Sequence, residues 1–197
     1  MIDEKWIDEF CEKYGYNKKK YGKNNPTLVI LGETHGSNKE RSEQDELIVK
    51  LGPKYVLSEI LMVMGEENYR DDEYFTKWKE EYPRCELVGC DLSNPEQIEL
   101  KKDLLRSLTI QQLETLRREV SVCEDDRLFK ICAERYPFLK QKFDGTREER
   151  MGKIVLDHSE NPSKPLVAVI GHRHADKSSE IHNILKGKVD YIAIWDC

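Results

Sequence analysis

Five short apolar runs rich in β-branched residues punctuate the chain: Thr27 to Leu31, Tyr55 to Ile60, Glu86 to Cys90, Leu166 to Ile170 and Tyr191 to Trp195. Their length, and the Gly, Pro and Asp residues that bound them, favour strands over helices. The first and fourth runs lack polar alternation, the pattern of parallel strands buried on both faces. Elsewhere Ser or Thr precedes Glu or Gln by three positions, at Ser37 and Glu40, Ser93 and Glu96, Thr109 and Gln112, and Thr146 and Glu149. Each pair is a capping-box signal for a helix start. Pro95 lies just inside the second, and Gly52-Pro53 closes the helix carrying Leu47, Ile48 and Leu51. The alternation predicts an α/β fold of three layers, a central parallel or mixed sheet with helices on both faces.

Two segments read as additions to that sheet. Residues 61–84 are rich in Glu, Tyr and Lys, while 109–143 carry Ile110, Leu113, Leu116 and Val120 at helical spacing. They are expected to be covering helices or a helical insertion over a cleft, with 109–143 the cap. Residues 1–25 suggest an amphipathic helix (Trp6, Ile7, Phe10) followed by a solvated connector at Lys18-Lys19-Lys20. Trp6 and Phe10 could pack on the sheet or on a second copy, so a homodimer stays open. At 197 residues the whole chain, 1–197, is expected to form a single domain.

Charge narrows the partners. With 32 Lys plus Arg against 38 Asp plus Glu, the net charge of −6 argues against a surface that grips nucleic acid or anionic lipid. No apolar stretch approaches the ~18 residues needed to span a bilayer, and no signal-type h-region opens the sequence. A cytoplasmic location is expected. Six cysteines show no C-x-x-C pairing and are expected to be free, mostly buried thiols. Neither G-x-G-x-x-G nor G-x-x-x-x-G-K-[ST] occurs, which argues against nucleotide binding.

The candidate chemistry lies in an approximate internal repeat. Leu28 to Ser37 (LVILGETHGS) and Val167 to Asp176 (VAVIGHRHAD) are each a buried strand ending in G-x-x-H. In an open parallel sheet the carboxyl ends of the strands form the ligand crevice, so the repeat is expected to deliver His35 and His174 to one edge. Gly32 and Gly171 would allow a sharp exit from the strand or close approach of a ligand to the backbone. Glu33, Glu59 and Asp91 place an acid at three strand ends. Such a set could hold a divalent metal (Mn, Co, Zn or Fe) through Glu33, His35, Glu59 and His174. Alternatively one His could act as general base on water, its tautomer fixed by a carboxylate. Asp91 and His172, which shares the second loop outside the repeated position, are substrate-binding candidates; His182 reads as a core histidine within a helix and His158 as a helix C-terminal one.

These elements together resemble the TraB/TIKI/ChaN-like/erythromycin-esterase-like superfamily. The resemblance rests on LGETHG (31–36), the strand-end Glu59, Val88-Gly-Cys-Asp91, Arg147-Glu-Glu-Arg-Met151 and VIGHRH (169–174), and spans about residue 27 to 195. The residue after Arg147 is Glu148, where that family often has Asp or Asn, and Ala175-Asp176 replaces the Pro-Gly usual in TraB members. The resemblance implies a cleft lined by Glu33, His35, Glu59 and His174, with Arg147 entering from a helix N-terminus. It also implies functions from metal-dependent proteolysis and macrolide ester hydrolysis to haem binding.

The expected activity is hydrolysis of an ester or amide, possibly peptide, bond, with or without a divalent metal. His35, Glu33, Arg147 and His174 would be catalytic, Arg147 stabilising the oxyanion. The alternative is a non-catalytic module that binds haem, iron or a small molecule, or a regulatory protein of the same fold. Partners on either reading are a small-molecule or peptide substrate, with no nucleic acid and no membrane.

Overall fold

The two strands with unbroken apolar runs lie at the centre of the sheet. In the computed structural model, described for residues 2–33, 38–59, 80–119, 125–159 and 164–196, they are β2 (Leu28–Glu33) and β5 (Leu166–Gly171), buried at every position. They pair in parallel, with Glu33 opposite Gly171. The sheet has six strands in the order β1-β6-β2-β5-β3-β4, with β1 at Tyr16–Tyr21, β3 at Tyr55–Ser58, β4 at Glu86–Gly89 and β6 at Tyr191–Asp196. All pairings are parallel except β1 with β6, so the sheet is mixed.

Strand side chains alternate between faces, and this sorts the core into two layers. Val29, Leu31, Val56, Val167, Val169, Ile192 and Ile194 face α1 (Glu4–Tyr14) and α2 (Asn38–Leu51), meeting Ile7, Phe10, Leu47 and Ile48. Leu28, Ile30, Leu57, Ala168, Ile170 and Ala193 meet Met151, Val155, Ala175, Ile181 and Leu185 on the other face. Helices therefore cover both faces. Phe10 is 2% exposed and stacks on Tyr16 at 5.9 Å, so the N-terminal helix packs on its own sheet.

The lysine run read as a connector is instead strand β1. Tyr16 and Tyr21 anchor its ends on opposite faces, in the first and second core layers, while Lys18 and Lys20 pair with Asp8 and Glu4 of α1. Lysines along an outer strand discourage pairing with another chain, so a run that looks merely solvated is compatible with an edge strand.

The chain divides into two compact units, Met1–Asp91 with Glu148–Cys197, and Leu92–Arg147. The first holds the sheet. The second contains α3 (Asn94–Arg106), α4 (Ile110–Glu119), α5 (Asp125–Arg135) and the first part of α6 (Pro137–Ser159). Its own core gathers Leu104, Leu105, Leu108, Leu116, Phe129, Cys132, Leu139 and Phe143. Capping boxes open α3 and α4 where the sequence places them: the Ser93 amide donates to Glu96 at 2.8 Å and the Thr109 amide to Gln112 at 2.8 Å.

The third box in that region is a helix interior. Thr146 lies mid-way along α6 and its hydroxyl donates to the Lys142 carbonyl at 2.9 Å, while Glu149 pairs with Lys153. A Thr can satisfy its hydroxyl on the preceding turn without starting a helix. Of the Ser37–Glu40 signal, Ser37 lies outside the described residues and α2 is described from Asn38. Cys11, Cys85, Cys90 and Cys132 are free thiols; Cys123 and Cys197 lie outside the described residues. Among the described residues no helix is long and apolar enough to cross a membrane.

Candidate active site

The carboxyl ends of β2, β5 and β3 lie side by side, because β5 pairs with both neighbours. After β5 the chain turns at once into a single helical turn, α7 (His172–Ala175), which packs back over β2. Gly32 makes this possible: a Cβ there would lie 2.7 Å from Ala175 Cβ and 2.9 Å from His172 Cα. The close approach that the first glycine permits is thus by α7, not by a ligand.

That turn places His174, 7% exposed, between two carboxylates. Its Nδ1 is 2.9 Å from Glu148 Oε1 and its Nε2 is 3.8 Å from Glu59 Oε1. Each carboxylate is itself held by a backbone amide. Gly171 N–H donates to Glu59 Oε2 at 2.6 Å, and Glu180 N–H, at the start of α8 (Glu180–Leu185), donates to Glu148 Oε2 at 2.7 Å. Burial alone would raise the Glu148 carboxyl, but the hydrogen bonds from His174 and Glu180 outweigh it and hold the group below the ordinary carboxylate range. A carboxylate accepting from Nδ1–H leaves the lone pair on Nε2, the nitrogen that faces Glu59.

The other sequence candidates have separate surroundings. Glu33 continues the alternation of Val29 and Leu31, and its carboxylate accepts a hydrogen bond from Gln44 of α2, in the layer opposite α6 and α7. Strand parity therefore separates Glu33 from the Glu59–His174 pair, although both acids lie at the carboxyl ends of strands that flank β5. Asp91 is fully buried just after β4, and His172 is exposed at the start of α7. Arg147 lies mid-helix rather than at a helix N-terminus; it is the last residue of the second unit, with its guanidinium 5.6 Å above the Phe143 ring. His35 lies outside the described residues.

As a metal site the quartet of Glu33, His35, Glu59 and His174 is not assembled by the described residues. Glu59 and His174 are neighbours, Glu33 is engaged by Gln44, and no described group of three His, Cys, Asp or Glu side chains could hold an ion. Glu148 is the contributor that sequence reasoning passed over as a variation after Arg147. The signal was its place one residue past the motif Arg, on the helix facing the second G-x-x-H strand.

The remaining histidines are accounted for structurally. His182 is buried, with Nε2 at 3.1 Å from the Ala175 carbonyl and Nδ1 at 2.9 Å from the Tyr191 hydroxyl. His158 caps its own helix through the Ile154 carbonyl at 2.8 Å and packs edge-on against Tyr55.

No family model and no curated protein matches the chain. Among solved structures it is similar to one described as cofacial heme binding to ChaN of Campylobacter jejuni, at 14% identity and a TM-score of 0.49, over 96% of this chain and 91% of that chain.

Proposed function

We propose that the carboxyl edge of the sheet is a small-molecule site whose working part is the Glu148–His174–Glu59 array, and that its chemistry is proton transfer in the hydrolysis of an ester or amide. The observation that carries this reading is the double bracketing of one buried imidazole, 2.9 Å from Glu148 and 3.8 Å from Glu59. Glu148 fixes the tautomer and ring orientation. Nε2 takes a proton from water as the water oxygen bonds to the substrate carbonyl carbon, and Glu59 stabilises the imidazolium that forms. The same proton then passes to the departing alkoxide or amine as its bond to carbon breaks. His35, assigned by the motifs, is proposed to supply a second imidazole. No step runs through a metal.

A second reading keeps the site and omits turnover: the module holds haem, iron or a metabolite, or senses one. It is favoured by the closed character of the array, since each carboxylate already spends an oxygen on a backbone amide. Haem is the ligand named for the Campylobacter jejuni protein. If haem bound here, His174 could hold its iron only with Glu59 away from the vicinity of Nε2.

A screen of generic esters and peptides, run with and without chelator, tests the first reading. Turnover that survives chelator and falls at least ~100-fold in His174→Gln, with a shifted pH profile in Glu148→Gln, supports it. Absence of turnover, together with a Soret band on haem titration that His174→Gln abolishes, replaces it with the second.

A further inference from the structure

The opposite end of the sheet carries a cleft that the proposed chemistry does not use. It lies where β3, β4 and β5 begin: Pro53 precedes β3, Cys85 precedes β4 and Lys164 precedes β5. Its volume of about 350 Å³ falls in the roughly 300–1,000 Å³ range of small-molecule pockets. Ile48 and Val49 from the end of α2, together with Pro53, Tyr82 and Pro83, make its walls apolar. Val49 is 67% exposed there, a β-branched side chain turned to solvent at the rim.

Among the described residues of the lining, two cations, Arg84 and Lys164, stand exposed against one acid, Glu81. Apolar walls with a net positive rim match a ligand of opposite design, an apolar body ending in one negative charge. The acidic chain as a whole makes this local excess of positive charge stand out. We propose that this amino-edge cleft is a second binding site, specific for a small single-chain amphiphile with one anionic head group. Its head is held by Arg84 and Lys164 and its tail lies against Val49, Tyr82 and Pro83. The parallel strands separate it from His174, so it is occupied independently of the carboxyl edge.

The Cys85 thiol reports occupancy. It lines the cleft and is half-buried, and burial pushes it up to about 11, so alkylation is slow and easily timed. The intact chain is treated with iodoacetamide, and labelling of the peptide bearing Cys85 is followed by mass spectrometry against octanoate, octanol and octyltrimethylammonium. Octanoate is expected to slow labelling at least threefold at saturation, with octanol and the cationic amphiphile much weaker. The Arg84→Gln/Lys164→Gln double variant is expected to raise the octanoate concentration for half-protection about tenfold, equivalent to about 1.4 kcal/mol. Val49→Glu, at an exposed position where folding is insensitive to charge, is expected to weaken protection likewise. Failure of octanoate to protect, equal protection by octanol, or an unchanged half-protection concentration in both variants would overturn the proposal.

Discussion

Replacing Gly32 by Ala tests the geometry on which the site depends. The added methyl would lie 2.7 Å from Ala175 Cβ, 2.9 Å from His172 Cα and 3.3 Å from the Ile194 carbonyl oxygen. Non-bonded carbons rest at about 3.5–4.0 Å, so relief takes a displacement of roughly 1 Å between α7 and β2. Neither of the nearer obstacles is the end of a flexible side chain, because one is a Cα and the other a methyl fixed directly to the backbone of a fully buried residue. Overpacking of this kind costs about 1–3 kcal/mol, and in a chain of this size each kcal/mol lowers Tm by about 2–4 °C. His174 lies between His172 and Ala175 in the same turn, so the shift also disturbs its 2.9 Å contact with Glu148. Thermal and urea unfolding measure the first effect, and the imidazole resonances of His174 the second. Gly145→Ala is the control: it sits inside α6 with nothing within 4 Å of its would-be Cβ, and is expected to stabilise by about 0.5–1 kcal/mol. If Gly32→Ala unfolds within about 0.5 kcal/mol of the parent, the range of an unconstrained surface change, the close approach of α7 to β2 is wrong.

Burial depresses His182, although its hydrogen bond to the Ala175 carbonyl opposes this, so the folded chain favours the neutral ring. The unfolded chain then binds more protons; this stability is present above the ordinary histidine value of about 6.5 and is lost as pH falls through the folded value. Urea unfolding from pH 7 to pH 5 should show falling stability, with a shallower slope in His182→Phe; equal slopes would remove His182 as the cause. At the sheet edge, changing Lys18, Lys19 and Lys20 together to Val strips the charge from β1 and should drive self-association in sedimentation velocity. A boundary unchanged from that of the parent would show that β1 is protected by something other than its lysines.

Much of the fold was legible because it is written in local periodicity. Each of the five apolar runs holds a strand, and the boxes at Ser93 and Thr109 start helices, since each depends on residues a few positions apart. β1 was missed because Tyr16 to Tyr21 contains three lysines and no apolar alternation; only β6 beside it and α1 above it make it a strand. Thr146 misled for a related reason, as a hydroxyl bonded to the carbonyl four residues back serves the helix interior as well as a cap serves its start.

The sequence by itself determined that two G-x-x-H strands of equal character are buried on both faces, which requires a single sheet with helices on each side. It also placed Glu59 and His174 at strand ends on the carboxyl edge. Only the tertiary structure decided which groups meet there. Strand parity turned Glu33 toward Gln44 and away from His174, while the docking of α6 brought in Glu148, 26 residues from the imidazole it orients. Those outcomes depend on strand order and helix packing, set by non-local burial, and no short window of residues encodes them.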